Sequence, residues 1–151
     1  MSTHNGYVKE FPFVRIDSFS SIPNPSTSLH PLYHFLTHAH TDHLAGLDSP
    51  AFRGTIYMTP VTKVLVANTM EAAERVRWQE FGKDRVGRRK RKFENLFKVK
   101  PGSCAVGGTS RGMDQIREIN LNQSIRLKGV NDEDWVRVTA IDANHCPGSC
   151  M

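Results

Sequence analysis

Apolar residues along this chain fall in short runs, some continuous and some alternating with polar ones, and the runs are separated by polar, proline- or glycine-containing stretches. Such punctuation predicts short strands and helices joined by loops. Phe11-Pro12-Phe13-Val14-Arg15-Ile16-Asp17 is largely apolar and partly β-branched, and predicts a strand with Asp17 at its carboxyl end. Ser18 to Pro31, rich in Ser, Pro and Asn, predicts a loop. Tyr33 to Thr37 is the next expected strand, apolar apart from His34, and Gly54 to Met58 a third. Thr59-Pro60 then supplies a capping hydroxyl and a proline suited to the first helical position.

A helix should begin there. Val61, Val64, Leu65 and Asn68 recur at i, i+3, i+4 and i+7 and predict a mainly apolar stripe against the sheet. Glu71 to Phe81 has good helix formers and reads as a second helix ended by Gly82. Pro101 to Gly112, with four glycines, predicts a surface loop, and order returns near Ile116. Ser124 to Leu127 and Trp135 to Asp142 alternate on either side of the acidic turn Asn131-Asp132-Glu133-Asp134, which predicts a hairpin. The fold class is therefore mixed α/β, with polar loops at strand ends gathering the chemistry. Asp17, the segment His38 to His43 and His145 all lie at such ends.

The segment His38-Ala39-His40-Thr41-Asp42-His43 places three imidazoles and a carboxylate within six residues. Neutral imidazole and carboxylate are the ligands that Zn²⁺ and similar ions take when no thiolate is involved. Histidines on a helix would share a face at i and i+4, whereas His38 and His40 are at i and i+2 and share one only on extended backbone. The cluster thus reads as a loop leaving a strand, with His38 and His40 directed at one ion and Asp42 and His43 at a second position beside it. Gly46 suits the turn that follows. A lone histidine is more often an ordinary half-buried residue, but this many ligand groups packed together would be costly without an ion or hydrogen bonds to satisfy them.

With 151 residues and 38% hydrophobic composition, one domain with a core is expected. No apolar stretch approaches the roughly 20 residues of a membrane span, and Met1 to Gly6 lacks the apolar core of a signal peptide, so a soluble, non-secreted protein with no membrane partner is the expectation. Cys104, Cys146 and Cys150 form no disulfide framework or paired zinc-finger spacing, and reduced, small buried side chains are expected. The formal charge of +5 is unevenly spread. Lys83 to Lys100 holds nine basic residues against Asp84 and Glu94, so that window carries +7 and the rest of the chain −2. Its densest part, Arg88-Arg89-Lys90-Arg91-Lys92, reads as a DNA contact or a nuclear-import signal, with a solvated helix face or loop as the bland alternative.

Asp17 closing the first strand, the H-x-H-x-D-H cluster and a later His145 occur in an order that resembles the metallo-β-lactamase fold. The wording is narrower. Asp142-Ala143-Asn144-His145-Cys146-Pro147-Gly148-Ser149 resembles the D-A-N-H-C-P-G-S segment of the β-CASP DNA-repair nucleases of the Artemis and Apollo group, and Thr59-Pro60-Val61-Thr62-Lys63-Val64-Leu65 their S-P-V-T-K-x-L stretch. The resemblance covers about residues 8 to 70 and 123 to 151 and leaves the basic middle unmatched.

The resemblance implies the amino-terminal half of an αββα sandwich over residues 1–151, with a basic insertion at about 82–112 and no β-CASP region. It implies one or two zinc ions, with His38, His40 and His145 at one metal and Asp42 and His43 at a second position or orienting the attacking water. Asp17 would brace the motif loop, and Asp142 would support the motif that it opens. It further implies a nuclear enzyme that cleaves DNA from 5′ to 3′, on single strands or at 5′ ends, in crosslink or double-strand-break repair, alongside other repair proteins. Metal-bound water, its pKa lowered from about 15.7 toward about 7, would supply the hydroxide. The family pattern continues to a T-G-D segment whose Asp bridges the metals, and this chain stops at Met151, so an amino-terminal piece with an incomplete centre is expected. The alternatives are a non-catalytic nucleic-acid-binding module and a hydrolase of the same fold with another substrate.

Overall fold

The computed structural model describes residues 6–19, 32–47, 54–81, 116–129, 131 and 133–151. Most of the expected loop before Tyr33, the basic run Arg88 to Lys92, the glycine-rich loop from Pro101 and Cys104 lie outside the described residues. Four short strands, β1 (Val14–Ile16), β2 (Tyr33–Phe35), β3 (Thr55–Met58) and β4 (Ile116–Glu118), pair in parallel in the order β1-β2-β3-β4. β5 (Ser124–Lys128) and β6 (Trp135–Thr139) form the expected antiparallel hairpin, in a register that sets Ser124 opposite Thr139 and Lys128 opposite Trp135. β4 had no expected counterpart. With only three residues, it is recognisable by its pairing to β3, not by any periodicity of its own.

Parallel strands need apolar cover on both faces, and alternate residues supply it. His34 and Leu36 of the β2 segment and Ile56 and Met58 of β3 face one side, where Phe19, Leu47 and Val66 complete a buried cluster. Tyr33 and Phe35 with Tyr57 face the other, against Leu127, Ala140 and the half-buried Ile125, Val136 and Val138 of the hairpin. The sheet is thus sandwiched between the helix α1 (Pro60–Phe81) and the hairpin β5–β6, with a core on each side.

Two expectations about α1 are corrected. The helix is continuous from Pro60 to Phe81, so Glu71 to Phe81 extends it and is not a second helix. No Gly or Pro interrupts that span, and Ala72-Ala73 at its middle favours helix. The predicted stripe is also rotated. Val61 and Val64 are 48% and 60% exposed, while Thr62 and Val66 are fully buried and Met70 packs beside them. The reason is polar: the Thr59 hydroxyl accepts a bond from Thr62 N–H as the expected cap, and both threonine hydroxyls donate to the Gly148 carbonyl, at 2.7 and 2.9 Å, which sets the rotation of the first turn. Cys146 and Cys150 are half-buried free thiols.

Candidate metal centre

In a parallel sheet the carboxyl ends of neighbouring strands lie side by side, and here the β1 end delivers Asp17 and the β2 end Thr37 and His38. Asp17 has left-handed backbone, φ 51°, a conformation that Asp tolerates better than most residues. Its carboxylate is fully engaged. Oδ1 accepts the Thr37 amide at 2.8 Å, and Oδ2 accepts the Thr37 hydroxyl at 2.6 Å and lies 2.9 Å from His43 Nδ1.

Proton accounting then assigns the rings. The Thr37 hydroxyl gives its only proton to Asp17, so its oxygen accepts from His38 Nδ1–H at 2.8 Å. The Nε2 lone pair of neutral His38 is left directed away from Thr37, 3.0 Å from His40 Nδ1. Asp17 likewise holds Nδ1–H of His43, leaving that ring's Nε2 on the open side, 3.6 Å from Asp42 Oδ2. A carboxylate that fixes an imidazole through one nitrogen and leaves the other for an ion is the usual outer support of a metal ligand.

After His40 the chain makes a single 3₁₀ turn, Thr41–His43, which swings His43 back over His38; the ring centroids are 4.2 Å apart. Gly46 ends the segment at φ 85°, where a side chain would also press on the Phe19 backbone at 3.1 Å.

His145 arrives from the other end of the sequence. The loop Asp142 to Cys150 folds back on itself: its ends pair as an isolated antiparallel bridge, Asp142 Oδ1 accepts the Asn144 amide, and Asn144 takes φ 50°. Buried Ser149 turns its hydroxyl oxygen to the amides of His145 and Cys146, at 3.2 and 3.1 Å. Two contacts dock this loop. Cys150 N–H donates to the Thr37 carbonyl at 2.9 Å, and Gly148 lies against the first turn of α1 with its carbonyl held by Thr59 and Thr62. Gly148 has φ 78°, and a Cβ there would meet Thr62 N at 2.9 Å, so only glycine allows the approach.

The result is a ring of imidazoles. His145 is 5.0 Å from His38 and 5.1 Å from His40 between centroids, and His38 and His40 are 4.5 Å apart. One nitrogen from each of His38, His40 and His145 can be chosen within 4.8 Å of the others, and the same holds for Asp17, His38 and His43. The first set consists of imidazoles alone, whereas in the second the Asp17 oxygens already accept from Thr37 and His43. Three imidazole nitrogens converging in this way fit a zinc-type ion. Burial first, then the neighbouring His43 and His40, holds the His38 pKa below its ordinary 6.5, which keeps that ring in the neutral, ligating form.

Asp42 belongs to neither set: its side chain is 71% exposed at the rim beside His43. Burial and then the Asp17 charge raise the Cys150 pKa, and its Sγ lies 3.7 Å from the Thr37 carbonyl as a weak donor. Thr37, Ser149, Thr59 and Thr62 were not among the expected site residues, although they position the histidines. The only signal was their place inside or beside the two motifs.

No protein-family model matches the chain. Among curated proteins, Protein artemis of Gallus gallus is 33% identical over the whole chain and that of Rattus norvegicus 25%. DNA cross-link repair protein pso2/snm1 of Schizosaccharomyces pombe is 26% identical over 78% of the chain. The chain spans about a sixth of the artemis proteins, 17% of each of these two, and 13% of the yeast protein. The two motifs that meet at Gly148 and the similarity along the whole sequence agree: the chain is similar to the Artemis and Pso2/Snm1 proteins.

Proposed function

We propose that this chain carries the metal-binding part of a zinc-dependent DNA-repair nuclease, built on the amino-terminal half of an αββα sandwich. The observation that supports the reading most is the convergence of His38 and His40 from one motif with His145 from the other. His38, His40 and His145 hold the ion. Thr37, under the Asp17 carboxylate, fixes the His38 tautomer, and Asp17 itself fixes His43. A zinc ion held by these residues would supply activation of water and would offset charge on the phosphate oxygens. His43 and exposed Asp42 stand beside that position, where they orient the attacking water or receive a second ion. The substrate is DNA, single-stranded or with a 5′ end, the compartment is the nucleus, and other repair proteins are the expected partners. Arg88 to Lys92 serve DNA contact or import.

The test is cleavage of 5′-phosphorylated single-stranded DNA by the zinc-loaded chain and by Asp42→Asn. Zinc uptake with little or no cleavage is the expected result for a metal-binding part whose centre is incomplete, and robust cleavage that Asp42→Asn lowers by about 100-fold or more would show instead that the centre is complete in this chain. Strand binding with neither zinc nor cleavage would favour a non-catalytic module.

A further inference from the structure

The hairpin β5–β6 has an apolar inner face, and its outer face is occupied row by row. Ser124 stands opposite Thr139, Arg126 opposite Arg137, and Lys128 opposite Trp135. All but Thr139 are exposed, and Trp135 keeps 48% of its surface in solvent. No acid occurs among these six residues. The Arg126 guanidinium lies 4.2 Å over the Trp135 ring, which holds a cation and an aromatic plane together, and Ser124 and Thr139 bond to each other at 2.7 Å.

Two features are costly for an isolated protein. A large aromatic ring half in water forgoes burial. Like charges directly opposite on antiparallel strands repel, and Arg126 and Arg137 are such a pair. Both costs turn to advantage against a flexible polyanion with planar bases: the cations pair with phosphates, and the indole offers a stacking surface. β6 also runs directly into the loop that carries His145. We infer that the outer face of the β5–β6 hairpin is a docking surface for single-stranded nucleic acid, with Arg126, Lys128 and Arg137 on the backbone and Trp135 stacking on a base.

The inference takes its ligand from the nucleic-acid reading above, and its test separates the two. Binding of a fluorescein-labelled single-stranded phosphorothioate oligodeoxynucleotide is followed by anisotropy over a range of salt. In Arg126→Gln/Arg137→Gln the slope of log affinity against log salt should fall by about 1.4, near 0.7 for each lost phosphate contact. Trp135→Ala should weaken binding about tenfold. Tryptophan quenching on binding should survive Trp78→Phe and vanish in Trp135→Phe. Arg137→Gln alone should melt no lower than wild type, because relieving repulsion does not destabilise, so its weaker binding is not a folding defect. An unchanged salt slope in the double variant, with the wild type binding, would overturn this inference and leave the nucleic-acid reading standing. A wild type that binds no strand would overturn both. Phosphatidylserine vesicles bound as tightly as DNA, through the same arginines, would also overturn it.

Discussion

Every oxygen of the Asp17 carboxylate is committed, to the Thr37 amide, the Thr37 hydroxyl and the His43 ring, so an amide in its place cannot accept all three. Asp17→Asn should cost about 2 kcal/mol, the scale of lost bonds to a charged acceptor, read from the urea midpoint at constant slope. His38 makes a pH prediction. Its pKa in the fold lies below the unfolded value, so the unfolded chain takes up the proton first. Its contribution to stability is complete above about pH 6.5 and is lost as pH falls through the lower folded value. The urea midpoint of the metal-free chain should therefore fall between pH 7 and pH 5, and His38→Gln should make that fall shallower. At this scale the sequence made the histidines plain because three of them are nearly consecutive. It did not reveal Thr37 or Ser149, whose importance lies in accepting particular N–H groups and appears only once the loop is closed.

The Thr59-Pro60-Val61-Thr62 turn that starts α1 and the Cys146-Pro147-Gly148-Ser149 turn after His145 are one unit, joined by two hydroxyls on a single carbonyl. Gly148→Ala would force a side chain into left-handed backbone and against Thr62 N, at a cost of about 1–3 kcal/mol from conformation alone. His145 should shift with it, so a thermal melt and a zinc titration of Gly148→Ala should both show loss. Thr62→Val keeps the volume and removes one bond, with an expected cost of about 1 kcal/mol in the same melt. The helix start was readable from Thr59-Pro60 because capping is local. The buried face was not, because apolar spacing pointed to Val61 and Val64, whereas a pair of buried hydroxyls turned Thr62 and Val66 inward. β4 escaped for the opposite reason: three residues carry too little pattern, and its partner is sixty residues earlier, at Ile56 to Met58.

Across the whole molecule, the described layers serve to bring three distant strand ends together. β1 supplies Asp17, β2 supplies the histidine cluster, and the hairpin strand β6 leads into His145. No helix among the described residues is long and apolar enough to cross a membrane. The α/β class followed from alternation and punctuation. The parallel order of the sheet did not, since it depends on pairings across long connections. The central claim is that His145 joins His38 and His40 on one ion. It is tested most directly by zinc titration against a chromophoric chelator, with wild type and His145→Ala compared at the same pH and the fold of each checked by circular dichroism. Stoichiometric zinc in the wild type that is lost from a folded His145→Ala is the predicted result. A wild type that takes up no zinc, or a His145→Ala that holds it as tightly, would contradict the claim.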